Sequence, residues 1–291
     1  MSYHEGPDLE QVAMSICKAH GYTLMEYLGQ GAFKRAFRAE DGRGNDYALK
    51  VIAGEASSPR TEREAEAIAR CDHPNIARLI RLGTQLFEDR NYDFIVEEFV
   101  GGGTLADRLR VDGSLDDDQA TALGDILIDA LVHLAQLSLV HRDIKPENVM
   151  YRAGAGGPVL VDFGLVRDLS ASSLTPSHAM RGPGTPYFAA PEQLNNDKHL
   201  IDWRTDQFSL GVLLFFARFG AHPYQHAPEP PFSEVTVDRV AERGPRADHF
   251  HTSLRHSPLA TIERMTRPWP VARFRRPTEL ADAWGVQEES D

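Results

Sequence analysis

Three consecutive glycines, Gly101 to Gly103, divide the chain into two stretches with different residue patterns. Ahead of them, "TLMEYL", "KRAFRA", "NDYALKVIAG" and "YDFIVEEFV" are short runs with strand character, and the turn-like "EDGRGN" joins two of them as a hairpin. Behind them helical spacing dominates: between Leu115 and Leu137, residues Leu123, Ile126, Leu127, Ala130, Leu131 and Leu134 recur on one face, with Ser114 as the expected cap. The pattern predicts an α+β chain of two lobes. A small antiparallel sheet with one main helix, Pro59 to Cys71, precedes a larger, mainly helical part. The expected boundaries are a helical extension over 1–21, a first lobe over 22–100, a second over 101–286 and a tail over 287–291. Within the extension, Leu9, Val12, Ala13, Ile16 and Cys17 share one face of a helix over Asp8 to Ala19, capped by Asp8. Such a face either docks on the sheet, the favoured expectation, or carries a homodimer.

Composition excludes several function classes. The formal net charge of -12 argues against a nucleic-acid grip, because a phosphate backbone repels an acidic surface. Cys17 and Cys71 lack metal-ligand spacing and sit in helix-like runs, so they are expected as buried thiols of a reducing compartment. The longest apolar run, "VLLFFA" at Val212 to Ala217, is too short to span a bilayer, and a soluble, cytoplasmic chain is expected.

Two stretches beyond the glycines carry the chemistry. "VHRDIKPENVM" places Asp143, Lys145 and Asn148 within six residues, and "VLVDFGLV" sets Asp162 between an apolar run and Gly164. Carboxylate and amide oxygens suit a hard cation such as magnesium, and a lysine neutralises a phosphate, so the set fits a magnesium nucleotide. Upstream, "LGQGAFKRAF" begins as a phosphate-cradling glycine loop with Gly29 and Gly31 but carries Lys34 where a third glycine belongs.

In this order the motifs resemble the protein-kinase family, specifically the bacterial relatives of eukaryotic Ser/Thr kinases, over about Tyr22 to Trp284. The resemblance implies a two-lobed fold and transfer of the γ-phosphate of ATP to Ser/Thr hydroxyls of a protein substrate, with magnesium or manganese as the metal. It assigns Lys50 of "DYALKV" to the α- and β-phosphates, with a helical glutamate as partner. Among Glu62, Glu64, Glu66 and Asp72, helical spacing puts Glu64 on the face of Ile68 and Cys71, and the distance back from "HPNI" selects the same residue. Leu28, Gly29, Gly31, Ala36, Ala48, Glu98, Val100 and Met150 are implied as nucleotide contacts. Asp143 would orient and deprotonate the acceptor hydroxyl, Lys145 would lie against the γ-phosphate, and Asn148 and Asp162 would hold the metal. His141 resembles the family's packed structural histidine. Arg142 is implied as receiver of a phosphate on the segment that follows Asp162, with Thr175 and Ser177 as the acceptors to test. Thr185 of "GTP" and Glu192 of "APE" resemble the substrate platform, with Arg276 of "RFRRPTEL" expected to pair with Glu192. Asp206 resembles the aspartate that braces the catalytic loop.

The chain also departs from the family pattern. Besides Lys34, Ala36 stands for a valine, and Phe188 and Phe208 stand for a tyrosine and a tryptophan. Glu97 occupies the gatekeeper position, where a carboxylate needs a hydrogen-bond partner or solvent. Two alternatives stay open at this point: a pseudokinase that binds without transferring, and a kinase of a small molecule.

Overall fold

The computed structural model describes residues 8–30, 34–52, 69, 71–154, 156–162, 186–230 and 232–285. The expected helix from Pro59 to Cys71, with Glu64, and the segment holding Thr175, Ser177 and Thr185 lie largely or wholly outside them. The chain forms two compact units. One comprises 1–72, 77–100 and 164–174; the other comprises 73–76, 101–163 and 175–291.

In the first unit, helix α1 (Leu9–His20) is opened by Asp8, whose carboxylate accepts from the Glu10 amide, and closed by Gly21 in the left-handed region at φ 76°. Five antiparallel strands follow: β1 (Tyr22–Gln30), β2 (Lys34–Asp41), β3 (Asp46–Ile52), β4 (Leu79–Phe87) and β5 (Arg90–Glu98), in the spatial order β1-β2-β3-β5-β4. Strand alternation gives this sheet two distinct faces. Phe37, Ala39, Leu49, Val51, Tyr92, Phe94 and Val96 form one, and pack with Val12, Ala13, Ile16 and Cys17 of α1 into a single core. The helix therefore docks on the sheet, and its apolar face is spent there rather than left for a second copy. Burial pushes the Cys17 thiol up to about 11, as expected of an inert core cysteine.

Strand β4 has no counterpart in the sequence expectations. Its run "LIRLGTQLF" alternates weakly and is broken by Gly83, the features of a half-exposed edge strand. That glycine is required by packing, since a Cβ there would lie 2.6 Å from Cζ of Phe94.

The second unit opens with α2 (Leu105–Asp112) and α3 (Asp117–Gln136). The cap of α3 is Asp116, not Ser114. Asp116 and Gln119 bond each other's backbone amides reciprocally, while the Leu115 amide donates 2.8 Å to Ala217 O and is thus committed elsewhere. A two-stranded ladder, β6 (Val149–Tyr151) with β7 (Pro158–Leu160), comes next. Helices α4 (Pro191–Leu194), α5 (Trp203–Phe219), α6 (Glu234–Ala241), α7 (Asp248–Leu254), α8 (Ile262–Met265) and α9 (Pro277–Trp284) complete the unit. Twelve residues of α5 are buried, which marks it as the central helix. No described helix is long and apolar enough to cross a membrane.

Candidate active site

The face of the first unit's sheet turned away from α1 carries the residues expected to meet a nucleotide. The register pairs Gly29 with Ala36, Ala36 with Lys50, Lys50 with Ile95 and Ala48 with Glu97. Ala36, Ala48, Lys50 and Glu97 therefore share this face. Small side chains at 36 and 48 keep it low around the lysine. Leu28, beside an irregularity of the β1 register, is exposed, and Gly29 has φ 153° with open space where a side chain would be. Glu98 closes β5 with its amide 2.9 Å from Arg78 O, and Val100 is buried. Lys34 begins β2 half-buried, opposite Ile52. Gly31 lies outside the described residues.

Lys50 is buried, and its ammonium meets the carboxylate of Glu97. Glu97 thus has the partner that a gatekeeper carboxylate requires. The two residues are diagonal neighbours on one face of β3 and β5, within reach for long side chains. The expected partner, Glu64, lies outside the described residues.

The second unit assembles the other expected groups around one short loop. Asp143 Oδ2 accepts 2.9 Å from Lys145 Nζ and 3.0 Å from Asn148 Nδ2, which also donates 2.7 Å to the Asp143 carbonyl. Asn148 ends a single 3-10 turn, Pro146–Asn148, with its amide 3.0 Å from Lys145 O. The ladder then sets the far side of the site. Val149 pairs with Leu160, and the Val161 amide donates 2.9 Å to Asn148 O, so Asn148 and Asp162 flank the same end of the hairpin. Met150 lies within the ladder, bridged to Thr104.

A second layer fixes this loop. Asp206 of α5 is buried and accepts 2.6 Å from the His141 amide and 2.8 Å from the Arg142 amide. Those two bonds hold Arg142 at φ 66°, a conformation that a non-glycine residue adopts at a cost. Gln193 Nε2 donates 2.8 Å to the Arg142 carbonyl. Burial pushes the Asp206 carboxyl up to about 7 against the two amide bonds that favour its charge. His141 is buried too, and desolvation pushes it down to about 4. Its Nδ1 accepts from the Asp143 amide at 3.3 Å, so Nε2 carries the hydrogen and donates 3.1 Å to Val161 O. One neutral histidine therefore ties the strand before Asp162 to the amide of Asp143, the structural role expected of it.

The donor chemistry fits magnesium. Among the described residues no three His, Cys, Asp or Glu side chains cluster as an all-protein metal cage. Magnesium is ordinarily bound through one or two protein oxygens together with phosphates and water. The hydrogen bonds of the Asn148 side chain run through Nδ2, so its Oδ1 is an amide oxygen of the kind a hard cation takes.

The partner of Glu192 differs from the expectation. Arg276, the N-cap residue of α9, is exposed and bonds Glu279 at 2.8 Å. Arg273 takes its place: both side chains are 0% exposed, and the guanidinium grips the carboxylate at 2.7 and 3.0 Å. Arg276 precedes Pro277 at a helix start, which favours extended backbone at the surface. Arg273 follows the 3-10 turn Pro270–Ala272 beside the buried Phe274. The apolar-flanked arginine of "ARFRRP" was the available signal.

The model of the protein kinase domain matches residues 22–274. The chain belongs to the protein kinase domain family. PknB, a serine/threonine-protein kinase of Mycobacterium leprae, is 32% identical over 82% of this chain and 38% of its own length. PrkC, a serine/threonine-protein kinase of Bacillus subtilis, is 27% identical over 87% of the chain and 38% of its own length. This kinase-family chain thus spans well under half the length of these curated relatives. Among solved structures, Rad53 in complex with AMP-PNP superposes with a TM-score of 0.68 at 22% identity, covering 92% of this chain and 66% of that one. The kinase domain of PknI from Mycobacterium tuberculosis gives 0.64 at 24% identity, over 91% and 94% of the two chains. Both likenesses establish the kinase fold, an antiparallel five-stranded sheet unit and a mainly helical unit.

Proposed function

We propose that the chain is the catalytic part of an ATP-dependent Ser/Thr protein kinase. The observation that carries this reading is the arrangement of Lys145 and Asn148 on the carboxylate of Asp143, with Asp206 and His141 holding the loop from behind. Asp143 accepts the proton of a Ser or Thr hydroxyl as its oxygen attacks the γ-phosphorus. The bond to the β,γ-bridging oxygen breaks, and ADP leaves with the electron pair. Lys145 compensates charge on the γ-phosphate, and Lys50 binds the α- and β-phosphates. Asn148 and Asp162 would hold magnesium, with manganese as a substitute, and the cation would neutralise the phosphates. Leu28, Gly29, Gly31, Ala36, Ala48, Glu98, Val100 and Met150 form the nucleotide bed, and Glu64 is a further partner of Lys50. Thr185 and Glu192 belong to the platform for a protein substrate. Phosphate on Thr175 or Ser177 would reach Arg142 and order the segment. The chain would act in the cytoplasm, with boundaries near 21, 100 and 286.

The family relationship and the names of the bacterial relatives support this assignment of substrate class. Incubation with γ-labelled ATP and generic proteins, followed by acid hydrolysis, tests it. Label on phosphoserine and phosphothreonine is expected. Nucleotide binding without label in any polypeptide would mark a pseudokinase, and label only in small molecules would overturn the protein substrate.

A further inference from the structure

The pairing of Lys50 with Glu97 is not needed to build the sheet. Residue 97 is buried on β5, and an apolar side chain would fill it with no electrostatic cost. A carboxylate there is tolerated only because a cation answers it. Arg38, a cation on the same face, is committed elsewhere, since it bonds both oxygens of Asp46 at 2.8 Å. Asp93, on the same face of β5, is bonded by Thr84 Oγ1 at 2.7 Å and makes no claim on the lysine. Glu97 is met by Lys50. Both residues sit on adjacent strands of one sheet, so the β3–β5 ladder sets their distance.

We infer that Glu97 is a positioning residue for the phosphate-binding lysine: a counter-ion carried by the sheet itself, which anchors the Lys50 ammonium from the neighbouring strand. The inference rests on the reading of Lys50 as the lysine that meets ATP phosphates. An ammonium has three donors, so the Glu97 carboxylate and a phosphate can share one lysine. Glu97 thereby limits the directions in which the flexible stem points before nucleotide arrives, a form of preorganisation.

The test reads the lysine directly. Nucleotide-free protein is trace-labelled with acetic anhydride at pH 8, and acetylation of Lys50 is quantified by mass spectrometry against the exposed Lys18 and Lys198 as internal standards. Loss of a buried counter-ion frees the neutral, reactive amine. Acetylation at Lys50 is expected to rise at least tenfold in Glu97→Met. In Glu97→Gln, which keeps an oxygen acceptor of equal length, it is expected to rise about threefold. The KM for ATP should increase at least fivefold in the Met variant and stay within twofold in the Gln variant. Lys50 labelling within twofold of wild type in both variants, with Lys18 and Lys198 unchanged, overturns the inference. If Glu97→Met alters the two standards, its fold is lost, and the Gln variant decides. The labelling needs no phosphoryl transfer, so an inactive chain would refute the kinase reading and still report on Glu97.

Discussion

Two buried ion pairs, one in each unit, use the same charges for different ends. Arg273 and Glu192 form a closed network. The guanidinium also donates 2.7 Å to Arg267 O, 2.8 Å to Arg204 O and 3.1 Å to Pro268 O, and it lies over the Phe208 ring. Glu192 takes a further bond from Thr205 Oγ1 at 3.0 Å. A rigid fork with each nitrogen committed has nothing to offer a ligand, and its value is architectural. Lys50 and Glu97 meet across adjacent strands, and an ammonium is a point charge without the fixed fork of a guanidinium. The contrast is between a cation whose donors are all fixed by the protein and, on the role proposed for Lys50, one whose charge a phosphate shares.

The difference can be attacked experimentally, beginning with the largest effect. Arg273→Met leaves the Glu192 carboxylate buried without its cation and should cost about 3–5 kcal/mol in urea unfolding of the second unit. A cost below about 1 kcal/mol would break the contrast. Ile16→Ala, in the core between α1 and the sheet, should destabilise the first unit by about 3 kcal/mol, because the fully buried side chain leaves a cavity. That loss would show that the sheet carrying Lys50 depends on packing from behind.

Acidification acts on the second unit through its buried histidines. His141 is held down to about 4 and His222 to about 3 by burial, whereas an unfolded histidine titrates near 6.5. As pH falls below 6.5 the unfolded chain binds protons that the folded chain refuses, so stability declines. Asp206, raised to about 7, works in the opposite sense: from about pH 7 down to 4 the folded chain keeps a proton that the unfolded chain has released. His249 is held down by burial as well, so the histidines outweigh Asp206 and stability falls on acidification from about 6.5 towards 4. Replacing His222 by Gln should reduce that slope by about 1.4 kcal/mol per pH unit, measured by denaturation at several pH values. At the small end, Glu97→Gln should cost about 1 kcal/mol or less in stability because the lysine keeps an acceptor. Arg276→Ala, an exposed pair, should stay within about 0.5 kcal/mol.

The sequence made most of this architecture legible where a residue's role depends on its immediate neighbours. Asp8 as a cap, the α1 face and the strands around "EDGRGN" follow from local patterns that tertiary structure had no reason to override. The clustering of Asp143, Lys145 and Asn148 was readable because all three lie within six residues, on the loop that ends in the turn Pro146–Asn148. What escaped depends on distant partners. Strand β4 is specified by the approach of Phe94 to Gly83, and the cap of α3 by the loss of the Leu115 amide to Ala217 O. The choice of Arg273 over Arg276 is a matter of which side of a short turn faces the core. Glu97 stands out in the sequence as an anomaly, but only the β3–β5 register supplies its partner.

The central claim is that Asp143 serves as the base of phosphoryl transfer. The most direct test is the rate of γ-phosphate transfer from Mg-ATP to a Ser/Thr substrate in wild type and Asp143→Asn, at matched fold content and saturating nucleotide. Asparagine preserves the size of the side chain and a hydrogen-bonding oxygen but cannot take the proton. The account predicts a drop of about 10²–10⁴-fold in kcat. Equal rates in the two proteins would contradict it.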